Sequence, residues 1–196
     1  MPKIRGIRLK PKQGHQDVLQ HPHIFPHIRQ NYHRMALYHF FHKNFHKSSK
    51  EILKSLQEQL WSDYIKYLDD DGNLSEELNQ LPENEGGIYM FFIQGQTLPK
   101  FEMYPAYIGR ALHTDDQNIQ KRVKCYLRES KGNKRPKIID LFESWKDFLY
   151  IKYFHTSDNN LIETGEKVLI RAILPPFNSE IPDRIIIKTP QKAFKL

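Results

Sequence analysis

"GGIYMFFI", residues 86–93, is a compact run of aromatic and β-branched residues, bounded by Gly86–Gly87 before it and Gly95 after it. That composition reads as a buried strand. Outward from it, a loop over residues 94–104 leads to a second strand around 105–109. This strand finishes in "AYIGRA", 106–111, where Gly109 breaks the apolar run and Arg110 places a charge at the turn. Residues 116–129 read as a helix with Ile119, Val123 and Leu127 on one face, and Asp115 or Asp116 as its cap. "KGNKRPK", 131–137, is a basic loop. A short helix over 138–146 is expected to bury Ile139, Phe142 and Trp145, and "FLYIKYF", 148–154, is a third strand. A last helix over 161–173 is stopped by Pro175–Pro176. The order β–β–α–α–β–α predicts an α/β (α+β) fold: a small, mixed, three-stranded sheet flanked by helices.

The other half reads differently. Residues 1–30, with "HPHIFPH", show little periodicity and read as a basic, His- and Pro-rich extended arm. Residues 31–80 read as a helical region for DNA binding or dimerisation. Met35, Tyr38, Phe41 and Phe45 recur at helical spacing within residues 32–45. Ser48 and Glu51 form a capping-box pattern, and Leu53, Leu56, Leu60, Tyr64 and Tyr67 continue as one apolar stripe. "DDDGN", 69–73, ends that helix, and the acidic connector over 74–85 predicts a boundary, with the sheet domain over 81–196.

With 39% hydrophobic and 27% charged residues the chain is globular in composition. No run approaches the roughly 20 apolar residues of a membrane span. The basic N-terminus has no apolar segment behind it, and a single cysteine, Cys125, excludes an intrachain disulfide and a multi-cysteine zinc site. A reducing, cytoplasmic setting is expected. The net charge of +7 is uneven: residues 1–50 hold 10 lysines and arginines against one acid, Asp17. Such an arm suits a polyanion, nucleic acid first and an anionic membrane second. Eight of the ten histidines lie within residues 15–46. His39, His42 and His46 share a helical face at metal-compatible spacing, but without an accompanying acid or cysteine they read as surface donors rather than zinc ligands.

Gly87-Ile88-Tyr89 followed by Tyr107-Ile108-Gly109 resembles the GIY-YIG nuclease family. Arg122 in the following helix, with Tyr126 four residues on, extends the likeness. So does "EKVLIRAILPPFN", 166–178, in which Glu166, Leu169, Ile170, Pro175 and Asn178 match the family's final signature. The resemblance covers residues 86–180, about half the chain. The interval between Tyr89 and Tyr107 is longer than in repair and homing members. The inserted "QGQTLPKFEMYP" is similar to segments of type II restriction endonucleases that read DNA.

The resemblance implies a metal-dependent DNA endonuclease, and the residues suit that chemistry. Glu166 offers one hard oxygen ligand for Mg²⁺ or Mn²⁺, with waters and a DNA phosphate completing the shell. Arg122 can bond a phosphate bidentately. Arg110 is placed to assist, and Gly109 is expected to keep a Cβ from obstructing substrate. Tyr89, Tyr107 and Tyr126 are candidates for the general base, because a nearby arginine and the metal site would favour a phenolate. Asn178 is expected to brace the site. No organic cofactor is implied. Taken singly, Tyr89 and Tyr107 read as core aromatics and Arg122 and Glu166 as solvated helix charges; the joint order and spacing outweigh those readings. Lys3, Arg5, Arg8, Lys10 and Lys12, and Lys131, Lys134, Arg135 and Lys137, are candidate phosphate contacts. Cleavage of a palindromic duplex by a single-site enzyme implies a homodimer.

Overall fold

Strand β2, Gly86–Gln94, is the middle of an antiparallel sheet. Strand β3, Met103–Ala111, pairs with one side of it in register Tyr89↔Gly109 and Phe91↔Tyr107. Strand β4, Leu149–Thr156, pairs with the other side in register Tyr89↔Tyr153. A two-residue strand, β1, Ile65–Lys66, adds to the outer edge of β4. The order is β1-β4-β2-β3. The computed structural model describes residues 49–95, 102–173 and 175–178. The fold is α+β, with two corrections to the expected sheet: it has four strands rather than three, and every pairing is antiparallel rather than mixed. A strand of two residues leaves no alternation to read in the sequence.

Helix α1, Lys50–Gln57, explains why β1 was hidden. The apolar stripe predicted one helix running on through Leu60, Tyr64 and Tyr67. Instead the helix stops at Gln57, and Leu60 is 92% exposed. The Trp61 indole N–H donates to the Leu56 carbonyl at 2.9 Å and turns the chain back. Ser62 N–H then donates to Tyr153 O at 2.7 Å, and Tyr67 N–H to Leu149 O at 2.9 Å. Pairing with a buried strand satisfies the same backbone groups that further helix would have used. Ser49 is the N-cap, without a side-chain bond, and Ser48 of the expected capping box lies outside the described residues.

Both faces of β2 are covered, which is why its sequence runs apolar without alternation. Tyr89, Phe91 and Ile93 pack with Tyr107 under helices α2, Ile119–Glu129, and α3, Pro136–Trp145. Ile88, Met90 and Phe92 pack with Ile108 under helix α4, Asn159–Ile173, and under Leu56 of α1. The α4 backbone reaches α1 at Gly165, where a Cβ would meet Ile88 and Leu56 methyls at 2.9 Å. Helix α2 starts later than expected, and Asn118 caps it rather than Asp115 or Asp116. The Asn118 Oδ1 accepts from Lys121 N at 2.8 Å, while residues 114–117 form a turn. Helix α3 opens with proline at its first turn and buries Ile138, Leu141 and Phe142. Ile139 and Trp145, expected inside, are only half-buried because the apolar stripe is centred one residue earlier.

The expected boundary near residue 80 is crossed by this packing. Tyr67 is fully buried, and its hydroxyl donates to Val123 O of α2 at 2.9 Å. Leu78 and Leu81 belong to the same core as Tyr89 and Phe91. No helix among the described residues is long and apolar enough to cross a membrane.

Candidate active site

Gly109 shows how the two tripeptides depend on each other. It faces Tyr89 across the β2–β3 ladder, and a Cβ built on it would meet the Tyr89 hydroxyl at 2.6 Å and two ring carbons at 2.7 Å. The glycine therefore makes room for the Tyr89 ring rather than for a substrate, which corrects the expectation from the sequence. Seated there, Tyr89 is fully buried.

Tyr126 of α2 meets Tyr89 from above, hydroxyl to hydroxyl at 2.8 Å, and its own hydroxyl donates to that of Tyr107 at 3.0 Å. A phenol carries one proton. With the Tyr126 proton given to Tyr107, the first bond needs the proton of Tyr89, whose hydroxyl also lies 3.4 Å from its second acceptor, the Arg110 carbonyl. The three phenols thus form a chain running from the core outward, ending at Tyr107. Burial pushes the Tyr89 phenol well above its ordinary value, and the neighbouring Tyr126 adds to the shift. Burial likewise raises Tyr107, and Arg135 opposes it only in part. The expectation that an arginine favours a phenolate is outweighed here by desolvation, and both groups rest as neutral phenols.

A cleft of about 500 Å³ opens beyond Tyr107. Arg110 at the end of β3, Lys134 and Arg135 before α3, Lys137 within it, Glu166 and Lys167 on α4, and Asn178 in the turn after α4 line it with Tyr107. Five cations surround one carboxylate. The Arg110 guanidinium donates to Glu166 Oε2 at 2.7 Å and lies 4.0 Å from Glu163. Glu163 therefore faces Arg110. Burial raises the Glu166 carboxyl, against the pull of Arg110 and Lys167. Asn178 clamps β3 by a pair of hydrogen bonds: Ile108 N–H donates to its Oδ1 at 2.9 Å, and its Nδ2 donates to Ile108 O at 2.8 Å. The Lys137 ammonium fastens the same turn through Pro176 O at 2.7 Å.

Of the residues singled out in the sequence, Tyr107, Arg110, Glu166 and Asn178 therefore meet in one cleft with Lys134, Arg135 and Lys137. Tyr89 and Tyr126 stand behind it in the core. Arg122 is not among the lining residues. Its Nη1 donates to Glu129 Oε1 at 2.7 Å and its Nη2 to the Tyr126 hydroxyl at 3.3 Å. Lys131 is exposed outside the cleft. Lys3, Arg5, Arg8, Lys10, Lys12 and the clustered histidines lie outside the described residues. Sequence reasoning missed Glu129. It ends α2, where an acid opposes the helix dipole, and that misplaced charge was the available signal.

Among the described residues no group of three or more His, Cys, Asp or Glu comes together. A lone carboxylate in an open cleft does suit Mg²⁺ or Mn²⁺, because such ions keep several waters and take one or two carboxylates plus substrate phosphate oxygens. Glu166 fits that part. Compared with known proteins, the chain matches no family model, no curated protein and no solved structure.

Proposed function

We propose that the protein is a Mg²⁺- or Mn²⁺-dependent endonuclease of the GIY-YIG kind that hydrolyses phosphodiester bonds in double-stranded DNA. By the likeness of its inserted segment it acts as a type II restriction enzyme, and as a homodimer. The observation that supports this reading is the meeting of Tyr107, Arg110, Glu166 and Asn178, from three separate parts of the chain, in one cationic cleft. A substrate phosphate is drawn in by Arg110, Lys134, Lys137 and Lys167, whose charge focuses in a concave site. Glu166 would hold the divalent cation, which when bound supplies Lewis-acid polarisation of the phosphodiester. Arg110 opposes the effect of burial, which raises the Glu166 carboxyl. Tyr107 is the one phenol of the three at the cleft, so it is the one that can first release its own proton to the solvent of the cleft and then, as the phenolate, take the proton of the attacking water. Arg135 Nη2 donates to the Tyr107 oxygen at 3.0 Å and favours the form that accepts a proton, against the raising effect of burial and of Tyr126. Asn178 fixes the β3 backbone beside Tyr107 and takes no part in the chemistry.

Plasmid DNA incubated with the protein and Mg²⁺ tests the reading. Glu166→Ala is expected to abolish cleavage and to leave duplex binding largely intact. Undiminished cleavage by that variant overturns the mechanism. Discrete fragments from a short palindrome support the restriction reading, nicks point to a homing or repair enzyme, and binding without cleavage by the unaltered protein points to an idle DNA-binding module.

A further inference from the structure

We propose that Arg135, held by Glu129, is the guanidinium that contacts the scissile phosphate in this cleft, and that Arg122 is a positioning residue acting through the same carboxylate. This rests on the nuclease reading but assigns the phosphate contact differently from the sequence motif.

The geometry separates the two arginines. Glu129 receives one from each side: Arg122 Nη1 on Oε1 at 2.7 Å and Arg135 Nη1 on Oε2 at 2.5 Å. From that shared anchor both guanidinia lie over the Tyr126 ring, at 4.8 Å for Arg122 and 5.1 Å for Arg135 from its centroid, but of the two Arg135 alone lines the cleft. Arg122 ends on the core phenol, its Nη2 on the Tyr126 hydroxyl at 3.3 Å. Arg135 turns to the cleft wall, its Nη2 on the Tyr107 hydroxyl. Its described bonds use two of the five donors of a guanidinium, so the fork retains N–H groups for a phosphate beside Tyr107.

Arg135 is also fixed at its backbone. It precedes Pro136, which restricts its conformation, and its carbonyl accepts from Ile138 N and Ile139 N, both at 3.0 Å. A long side chain on a basic loop would ordinarily lose much rotamer freedom when a ligand arrives. Here the carboxylate and the phenol have already fixed it, so less ordering remains at binding. Two guanidinium charges against one carboxylate leave one positive charge over. It lies next to Tyr107, where the pentavalent phosphate would develop negative charge.

The experiment compares Arg135→Gln, Arg122→Gln and Glu129→Gln in the full chain, each checked for folding by a circular dichroism melt. Binding to duplex DNA is measured without Mg²⁺ across a salt series. Arg135→Gln is expected to lower the salt slope by about one phosphate's worth, and Arg122→Gln to leave it unchanged. In Mg²⁺, Arg135→Lys is expected to lower kcat by about 10² or more, the scale for loss of one transition-state donor. Glu129→Gln is expected to lower kcat with little change in KM, and Glu129→Asp to recover part of it. The assignment is overturned if Arg122→Gln lowers the slope and Arg135→Gln does not, or if Arg135→Lys cleaves normally. If Arg122→Gln fails to fold, Arg122→Lys replaces it, and a kcat loss larger than that of Arg135→Lys overturns the assignment. DNA binding with an intact Arg135-dependent slope but no cleavage by the unaltered protein sinks the nuclease reading and leaves the phosphate contact standing. No DNA binding at all sinks both.

Discussion

Gly109 lacks a side chain, and that absence is what lets a buried phenol, Tyr89, reach Tyr126. The position needs space, not unusual backbone angles: the glycines with positive φ among the described residues are Gly72 and Gly87. An added methyl at residue 109 must displace the Tyr89 ring, which is itself fully enclosed. Overpacking a tight core of this kind costs about 1–3 kcal/mol. Gly109→Ala is therefore expected to lower the melting midpoint and to reduce cleavage by shifting the end of the phenol chain. Gly109→Ala combined with Tyr89→Phe keeps the ring, so it should relieve little of the strain; combined with Tyr89→Leu it should recover stability but not activity. A double-mutant cycle on thermal denaturation reads the coupling, and additive effects at the two positions would remove the packing explanation.

At the scale of elements, legibility followed burial. The run 86–93 was readable as a strand because helices cover both its faces and leave it uniformly apolar. Helix α4 was readable because Ile162, Leu169 and Ile170 hold a helical period against the sheet. The stretch from Leu60 to Tyr67 was not readable: its helical spacing is real, but two hydrogen bonds to β4 and β1 pairing decide its conformation from elsewhere in the chain. The site divides in the same way. Local order and spacing pointed to Tyr107, Arg110, Glu166 and Asn178, whereas the Glu129 clamp joins α2 to the loop before α3 and leaves no periodic trace. That clamp makes a pH prediction. Burial alone would raise the Glu129 carboxyl, but hydrogen bonds from Arg135 and Arg122 outweigh it and hold it below the ordinary glutamate value. A carboxyl depressed in the folded state stabilises the fold above its unfolded pKa, about 4.3, and that contribution is lost as pH falls through the lower folded value. The unaltered protein should lose melting temperature steeply below about pH 4.3, and Glu129→Gln should start lower and fall less over that window. Equal acid slopes for the two proteins would show that the clamp does not hold the helices together.

At the scale of the whole molecule, the question is how much chain the sheet needs. Composition places a change of character near residue 80, from helical and acidic to aromatic and β-branched, but the core ignores it. Leu56, Ile65, Tyr67, Leu68 and Leu78 are all nearly or fully buried, and the Tyr67 hydroxyl is tied to the backbone of α2 on both sides, donating to Val123 O and accepting from Leu127 N. β1 covers the otherwise open edge of β4. Burial of a large apolar side chain contributes about 1.5–3 kcal/mol before the entropy of ordering is counted, so the gross contribution of these five is about 7.5–15 kcal/mol. A fragment of residues 81–196 would also expose the β4 edge and the apolar surface beneath Tyr67, both of which favour association. It is expected to give no cooperative thermal transition and to aggregate, while the full chain melts in a single transition. Calorimetry with analytical ultracentrifugation distinguishes the cases, and a monomeric 81–196 fragment with a sharp transition would mean that residues 49–80 are an attachment to the sheet rather than part of its core.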